Sequence, residues 1–213
     1  AIGIGKMFNI NIPINFNSPY KARNFSEYWK RWHMTLSRFL GDYVYKSLGG
    51  NQRYSNIVYM NIMITFFVSG FWHGAGWTFV VWGALNGAFV VMAHMMKKAK
   101  IRINYYIAWS LMFLGLIITR ILFVSDSFSD AWHVAYTLFD ITNLRFSDLP
   151  YADGWLQTLY ILIGLSLTLF FKNSIEISQN FRPNIKYTTY TVVLLSFSIL
   201  TFSKAREFLY FQF

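Results

Sequence analysis

Within the run Trp72-His73-Gly74-Ala75-Gly76-Trp77, one imidazole stands between two long apolar stretches, with only small residues and tryptophans beside it. A titratable side chain at such depth is expensive in hydrocarbon, which makes an intramembrane histidine a functional-site hypothesis by default. Its unperturbed pKa lies close to neutrality, so it suits the movement of protons. A histidine satisfied by a neighbouring backbone carbonyl fits the same stretch equally well at this point. Gly74, Ala75 and Gly76 leave room for a thin substrate to approach the backbone. The same small residues serve equally well for helix packing in a membrane.

The remaining histidines are His33, His94 and His133. Their spacing matches no zinc motif of the His-Glu-x-x-His kind and no carboxylate cluster accompanies them, so no metal is expected. His94, beside Met92, Met95 and Met96 at the end of an apolar run, reads as structural or interfacial, and His133 reads the same way. There is no Gly-x-Ser-x-Gly elbow and no cysteine, so no nucleophilic side chain has a recognisable setting. What remains is a histidine base that takes a proton from a hydroxyl as its oxygen attacks an activated acyl group.

The composition decides what surrounds this chemistry. Of 213 residues 55% are hydrophobic and 21% aromatic, with only 13% charged. Soluble domains carry about 25% charged residues, so a membrane protein is expected. The net charge of +10 is no sign of nucleic acid, because the basic residues flank apolar runs as membrane orientation requires. Without cysteine a disulfide framework is excluded. The opening Ala1-Ile2-Gly3-Ile4-Gly5 resembles the end of an apolar segment more than a signal peptide, so part of the natural protein is expected upstream.

A membrane-crossing helix needs roughly 20 apolar residues. Five stretches qualify or nearly do, at 56–71, 76–96, 103–124, 155–171 and 187–203. Lys97, Lys98, Lys100 and Arg102 form a basic cluster after the second. Five aspartates (126, 130, 140, 148 and 153) against Arg145 mark the loop 125–153. Lys/Arg bias sets orientation, so 97–102 is expected on the cytoplasmic side and 125–153 outside. Lys172, Arg182 and Lys186 return the chain inward, whereas Lys204 and Arg206 fall on the other side by this count.

Residues 24–43 follow another pattern. Phe25, Tyr28, Trp29, Trp32, Leu36, Phe39, Leu40 and Tyr43 recur at helical spacing, with Glu27, Arg31 and Arg38 opposite and Lys30 on the flank. An aromatic stripe backed by basic residues predicts one helix lying in the membrane interface. Asn24 or Ser26 is the expected N-cap. His33 falls at the edge of the stripe and Asp42 near the opposite edge. Gly49-Gly50-Asn51 marks a turn.

Several long motifs in order then carry a resemblance. Asn15-Phe16-Asn17-Ser18-Pro19-Tyr20-Lys21-Ala22, the run Tyr28 to Leu40, the segment Asp42 to Asn51, and the block around His73 are similar to the membrane-bound O-acyltransferases. The bacterial polysaccharide O-acetyltransferase branch fits best, including the ending Phe208 to Phe213. The resemblance implies the C-terminal portion of a single all-α, multi-pass domain over residues 1–213. In it transmembrane, re-entrant and interfacial helices ring a tunnel, in a bacterial cytoplasmic membrane. It implies an acetyl-CoA or acylated-carrier donor with no tightly bound cofactor, and a polysaccharide acceptor. An extracytoplasmic partner protein is also implied. It places catalysis on His73, with His33 and Asp42 assisting. Lys30, Arg31 and Arg38 would then meet the donor phosphates. D-alanyl transfer to teichoic acid, a transporter fragment and a non-catalytic export subunit are the alternatives.

Overall fold

The computed structural model describes residues 2–52, 54–140 and 154–201. Asp148, Asp153 and Arg145 of the acidic loop, the basic pair Lys204 and Arg206, and the ending 208–213 lie outside the described residues. Among the described residues every regular element is helical. The chain forms two compact units, Ala1–Phe171 and Lys172–Phe213.

The first unit opens with α1 (Ile2–Met7) and a stretch leading to a single turn at Pro19–Lys21. Then come α2 (Phe25–Trp29), α3 (Met34–Leu40), a wide π-turn (Gly41–Tyr45), and the long helices α4 (Ser55–His73), α5 (Trp77–Lys98) and α6 (Tyr105–Val124). It ends with α7 (Phe128–Phe139) and α8 (Gly154–Phe170); the second unit carries α9 (Ser174–Gln179) and α10 (Ile185–Thr201). Helices thus occupy all five apolar stretches named from the sequence. By length and hydropathy α5 and α6 suffice to cross a membrane, while α8 and α10 are shorter apolar helices. Polar side chains start several of them: Asn24 accepts from the Glu27 N–H, Asn104 from Tyr106 and Ser127 from Asp130, each filling an otherwise unpaired amide of a first turn.

Residues 24–43, expected as one interfacial helix, are broken into two short helices at His33. His33 has φ 46° and ψ 53°, the left-handed region, and no α-helix continues through such a residue. Part of their apolar stripe, Phe25, Tyr28, Leu36 and Leu40, is buried against protein. Phe25 and Tyr28 join Ala22, Ile62, Val90, Met112 and Leu116 in the buried core between α4, α5 and α6. Phe25 stacks on Phe89 with ring centroids 4.4 Å apart, and the Trp109 indole donates to the Tyr20 carbonyl at 2.8 Å. Phe39 and Tyr43 stay exposed.

The α4–α5 hairpin is the tightest packing in the unit. A Cβ placed on Gly83 would collide with the Phe66 carbonyl oxygen, and one on Gly70 with the Phe79 carbonyl oxygen. Backbones meet there with no side chain between them, as small residues permit between membrane helices. Gly49 and Gly50 take positive φ (98° and 52°), making the turn before α4. The buried Asn61 amide ties that turn to α4 by donating to the carbonyls of Leu48 and Gly50 at 3.1 and 3.4 Å.

Candidate active site

His73 is the last residue of α4, and Gly74-Ala75-Gly76 leads directly into α5. Helix termination there puts the imidazole where the backbone reverses. Three aromatic rings wall it: Trp82 and Phe123 each lie edge-on at 5.0 Å, and Trp72 at 4.9 Å. Phe79 faces it at 6.5 Å. A Cβ on Gly74 would press into the Phe79 ring at 2.7 Å. Gly74 therefore serves the packing of Phe79 against this reversal.

His33 reaches the same place from a distant part of the chain. Trp72 is the shared neighbour, its ring 6.3 Å from the His33 imidazole and 4.9 Å from that of His73. Phe16 flanks His33 at 6.1 Å and Trp32 at 4.8 Å. The His33 Nδ1 is buried with no hydrogen-bond partner among the described residues. A left-handed non-glycine residue and an unpaired buried nitrogen both carry a free-energy penalty, and such features cluster at functional sites. Asn15 holds the entry to this bend, its side-chain oxygen accepting from the backbone N–H and the hydroxyl of Thr35.

Burial holds the His33 pKa below its ordinary value. The folded protein therefore binds this proton less readily than the unfolded chain. Stability from this residue is present above the ordinary histidine range, around 6.5, and is lost as pH falls through the lowered folded value. Acidifying purified protein below about pH 6.5 should lower its melting temperature. In a His33→Asn variant, which tolerates the left-handed backbone, that acid slope should be shallower. An unchanged slope would show that His33 does not titrate in this way.

Arg120, the lone cation inside the apolar stretch of α6, completes the surroundings. Its guanidinium lies over the Trp32 ring at 4.8 Å and the Phe123 ring at 5.5 Å, a cation–π setting. It also acts on the buried Tyr28 hydroxyl, whose pKa burial raises strongly while Arg120 opposes the rise. Arg120 thereby touches Phe123, which packs on His73, and Trp32, the residue before His33. Beyond it opens a cavity of about 590 Å³ between α6, α7 and α8, with Leu116, Ile121, Leu138 and Ile161 among its walls. Nothing in the sequence pattern makes Arg120 a neighbour of the histidines. Only the tertiary structure brings them together, with Arg120 over Trp32 and its neighbour Phe123 against His73.

The other expected site residues fall elsewhere. Asp42 sits exposed on the π-turn, its carboxylate paired with Lys46 at 2.6 Å, and no hydrogen bond or ring contact joins it to His33 or His73. Arg31 pairs with Glu27 at 2.9 Å. Arg38 is exposed on α3. Lys30 instead faces a second cavity beside α5 and α6. His94 shares a 3.4 Å hydrogen bond with Ser26, which fastens α2 to α5, and His133 is exposed on α7. Among the described residues no histidine–carboxylate group could hold a metal.

These features belong to a helical protein with two apolar helices long enough to cross a membrane and two histidines flanking one tryptophan ring. Residues 1–125 match the MBOAT, membrane-bound O-acyltransferase, family model, and the chain belongs to that family. It is 35% identical over 239 residues to the peptidoglycan O-acetyltransferase of Helicobacter pylori, an alignment covering all of this chain and 45% of the relative. It is 30% identical over 237 residues to a probable alginate O-acetylase of Pseudomonas putida, covering all of this chain and 49% of that protein. A teichoic acid D-alanyltransferase of Streptococcus thermophilus shares 32% identity over 114 residues, 49% of this chain and 27% of its own length. The chain spans a little less than half the length of the first two relatives.

Proposed function

We propose that the natural protein is a multi-pass O-acetyltransferase of the bacterial cytoplasmic membrane, with His73 as its general base. It moves an acetyl group from a cytoplasmic thioester, acetyl-CoA or an acylated carrier, to hydroxyls of an exported or cell-wall polysaccharide. The observation that carries this reading is the pairing of His73 with His33 across Trp72 at the α4–α5 reversal. In the reaction the imidazole removes the hydroxyl proton while that oxygen attacks the thioester carbonyl. The new C–O bond forms, the C–S bond breaks, and the proton passes to the departing thiolate. His33 orients the site through Trp72. Arg31 and Arg38 attract the donor phosphates, and an extracytoplasmic partner protein completes delivery to the glycan. Asp42, exposed on the π-turn beside Lys46, is given no role in this reading.

The second reading is D-alanyl transfer to teichoic acid, favoured by the Streptococcus thermophilus relative. Mass analysis of surface glycans from cells with and without the gene separates the two. Loss of acetyl esters is the expected result. Loss of D-alanyl esters would establish the second reading, and an unchanged glycan would overturn both.

A further inference from the structure

The second cavity, of about 1190 Å³, runs between α2, α5 and α6 and has no part in the proposed chemistry. Its lining is of two kinds. Arg23, Lys30, Lys97 and Arg102 line it, Lys97 and Arg102 where α5 gives way to α6 and Arg23 over the Tyr105 ring at the start of α6, and all four are exposed. The single carboxylate there, Glu27, is already engaged by the Arg31 guanidinium at 2.9 Å and by the Arg23 backbone N–H at 3.0 Å. Among the described residues none of the four cations has a carboxylate partner. From this rim the wall descends along α6 past Leu111 and Leu114 to Ile118, with Met92 of α5 opposite. These four side chains are exposed although apolar, between 38% and 57%.

The floor is closed. Phe25 and Phe89 stack at 4.4 Å, and a Cβ on Gly115 would come within 2.8 Å of the Phe25 ring. His73, Trp82 and Phe123 are not among the residues that line it. A molecule in this groove therefore extends along the outside of two helices instead of toward the histidines. From Tyr105 to Ile118 is 13 residues, about 20 Å of helix, which is the scale of one fatty acyl chain in half of a bilayer about 30 Å thick.

We propose that this groove is a binding site for an anionic phospholipid, its phosphate among Arg23, Lys30, Lys97 and Arg102 and one acyl chain laid along Leu111, Leu114 and Ile118. Charge complementarity selects an anionic headgroup over a zwitterionic one, since each basic residue near an anionic lipid surface contributes about 1 kcal/mol, or about fivefold in affinity. The stacked Phe25 and Phe89 beneath it, and the absence of His73 from its lining, select a lipid over the acyl donor, whose thioester must reach His73.

Native mass spectrometry of the purified natural protein tests this with phosphatidylglycerol, phosphatidylcholine and coenzyme A as probes. Phosphatidylglycerol should stay bound where phosphatidylcholine does not, and coenzyme A should not displace it. A Lys97→Gln/Arg102→Gln double variant, altered only at exposed rim positions, should weaken phosphatidylglycerol binding about 25-fold. Equal retention of both lipids, or wild-type retention by the double variant, would overturn the site. Displacement by coenzyme A would reassign the groove to the donor. If an Ile118→Trp variant, which fills the tail path, retained the lipid as well as wild type, the placement of the acyl chain would be wrong.

Discussion

Replacing His73 by alanine or asparagine in the natural protein is expected to lower acyl transfer by about 10²- to 10⁴-fold, the usual contribution of a positioned acid–base group. Protein abundance and melting temperature should change little, because the imidazole is only partly buried and no hydrogen bond in the described residues depends on it. The His133→Ala variant is the matched control, since His133 is exposed on α7 and should retain full activity. Transfer to a soluble glycan acceptor, measured beside abundance in the same membranes, distinguishes a lost base from a lost fold. Wild-type activity in the His73 variants would remove the centre proposed for this protein.

The second large effect is on the fold. At Gly83 an added methyl group meets the Phe66 carbonyl oxygen, and at Gly70 it meets that of Phe79. Both obstacles are backbone, so no side chain can rotate away, and α4 and α5 must separate. Lipid supplies no hydrophobic drive to hold two helices together, so their attraction depends on this close contact. Gly83→Ala should therefore destabilise the protein by about 3 kcal/mol, the upper end of ordinary overpacking. It should also lower activity, because α4 carries His73 and α5 carries Trp82. Gly164→Ala in α8 is the control: nothing lies within 4 Å of its added Cβ, so its melting temperature in detergent should match wild type. A Gly83→Ala protein that melts with wild type would show that the hairpin is looser than described.

Much of the architecture was legible because apolar run length is a one-dimensional quantity. The five stretches found by hydropathy all coincide with helices, and the Gly49-Gly50 turn and the Asn24 cap lie where local chemistry put them. His73 stood out for a similar reason, as a titratable group surrounded by apolar residues. The helix expected over 24–43 failed on a single backbone angle. Periodicity continues unbroken through His33, and nothing in the residue types signals φ 46° there. Part of the stripe was read as meeting lipid when it meets protein, because an amphipathic face looks the same whichever apolar partner covers it.

By itself the sequence determined that this is a helical membrane chain of the O-acyltransferase kind with one imidazole in an apolar setting. Those properties follow from composition, run length and motif order, which need no knowledge of what touches what. Tertiary structure alone decided that His33 joins His73 across Trp72, that Arg120 stands behind both on Trp32 and Phe123, and that Asp42 stays outside with Lys46. It also brought Arg23, Lys30, Lys97 and Arg102 to the lining of one groove. Such groupings join residues up to 88 positions apart, as from Trp32 to Arg120. They are set by how closely glycine-bearing helices approach and at what angle they cross, which no local pattern encodes.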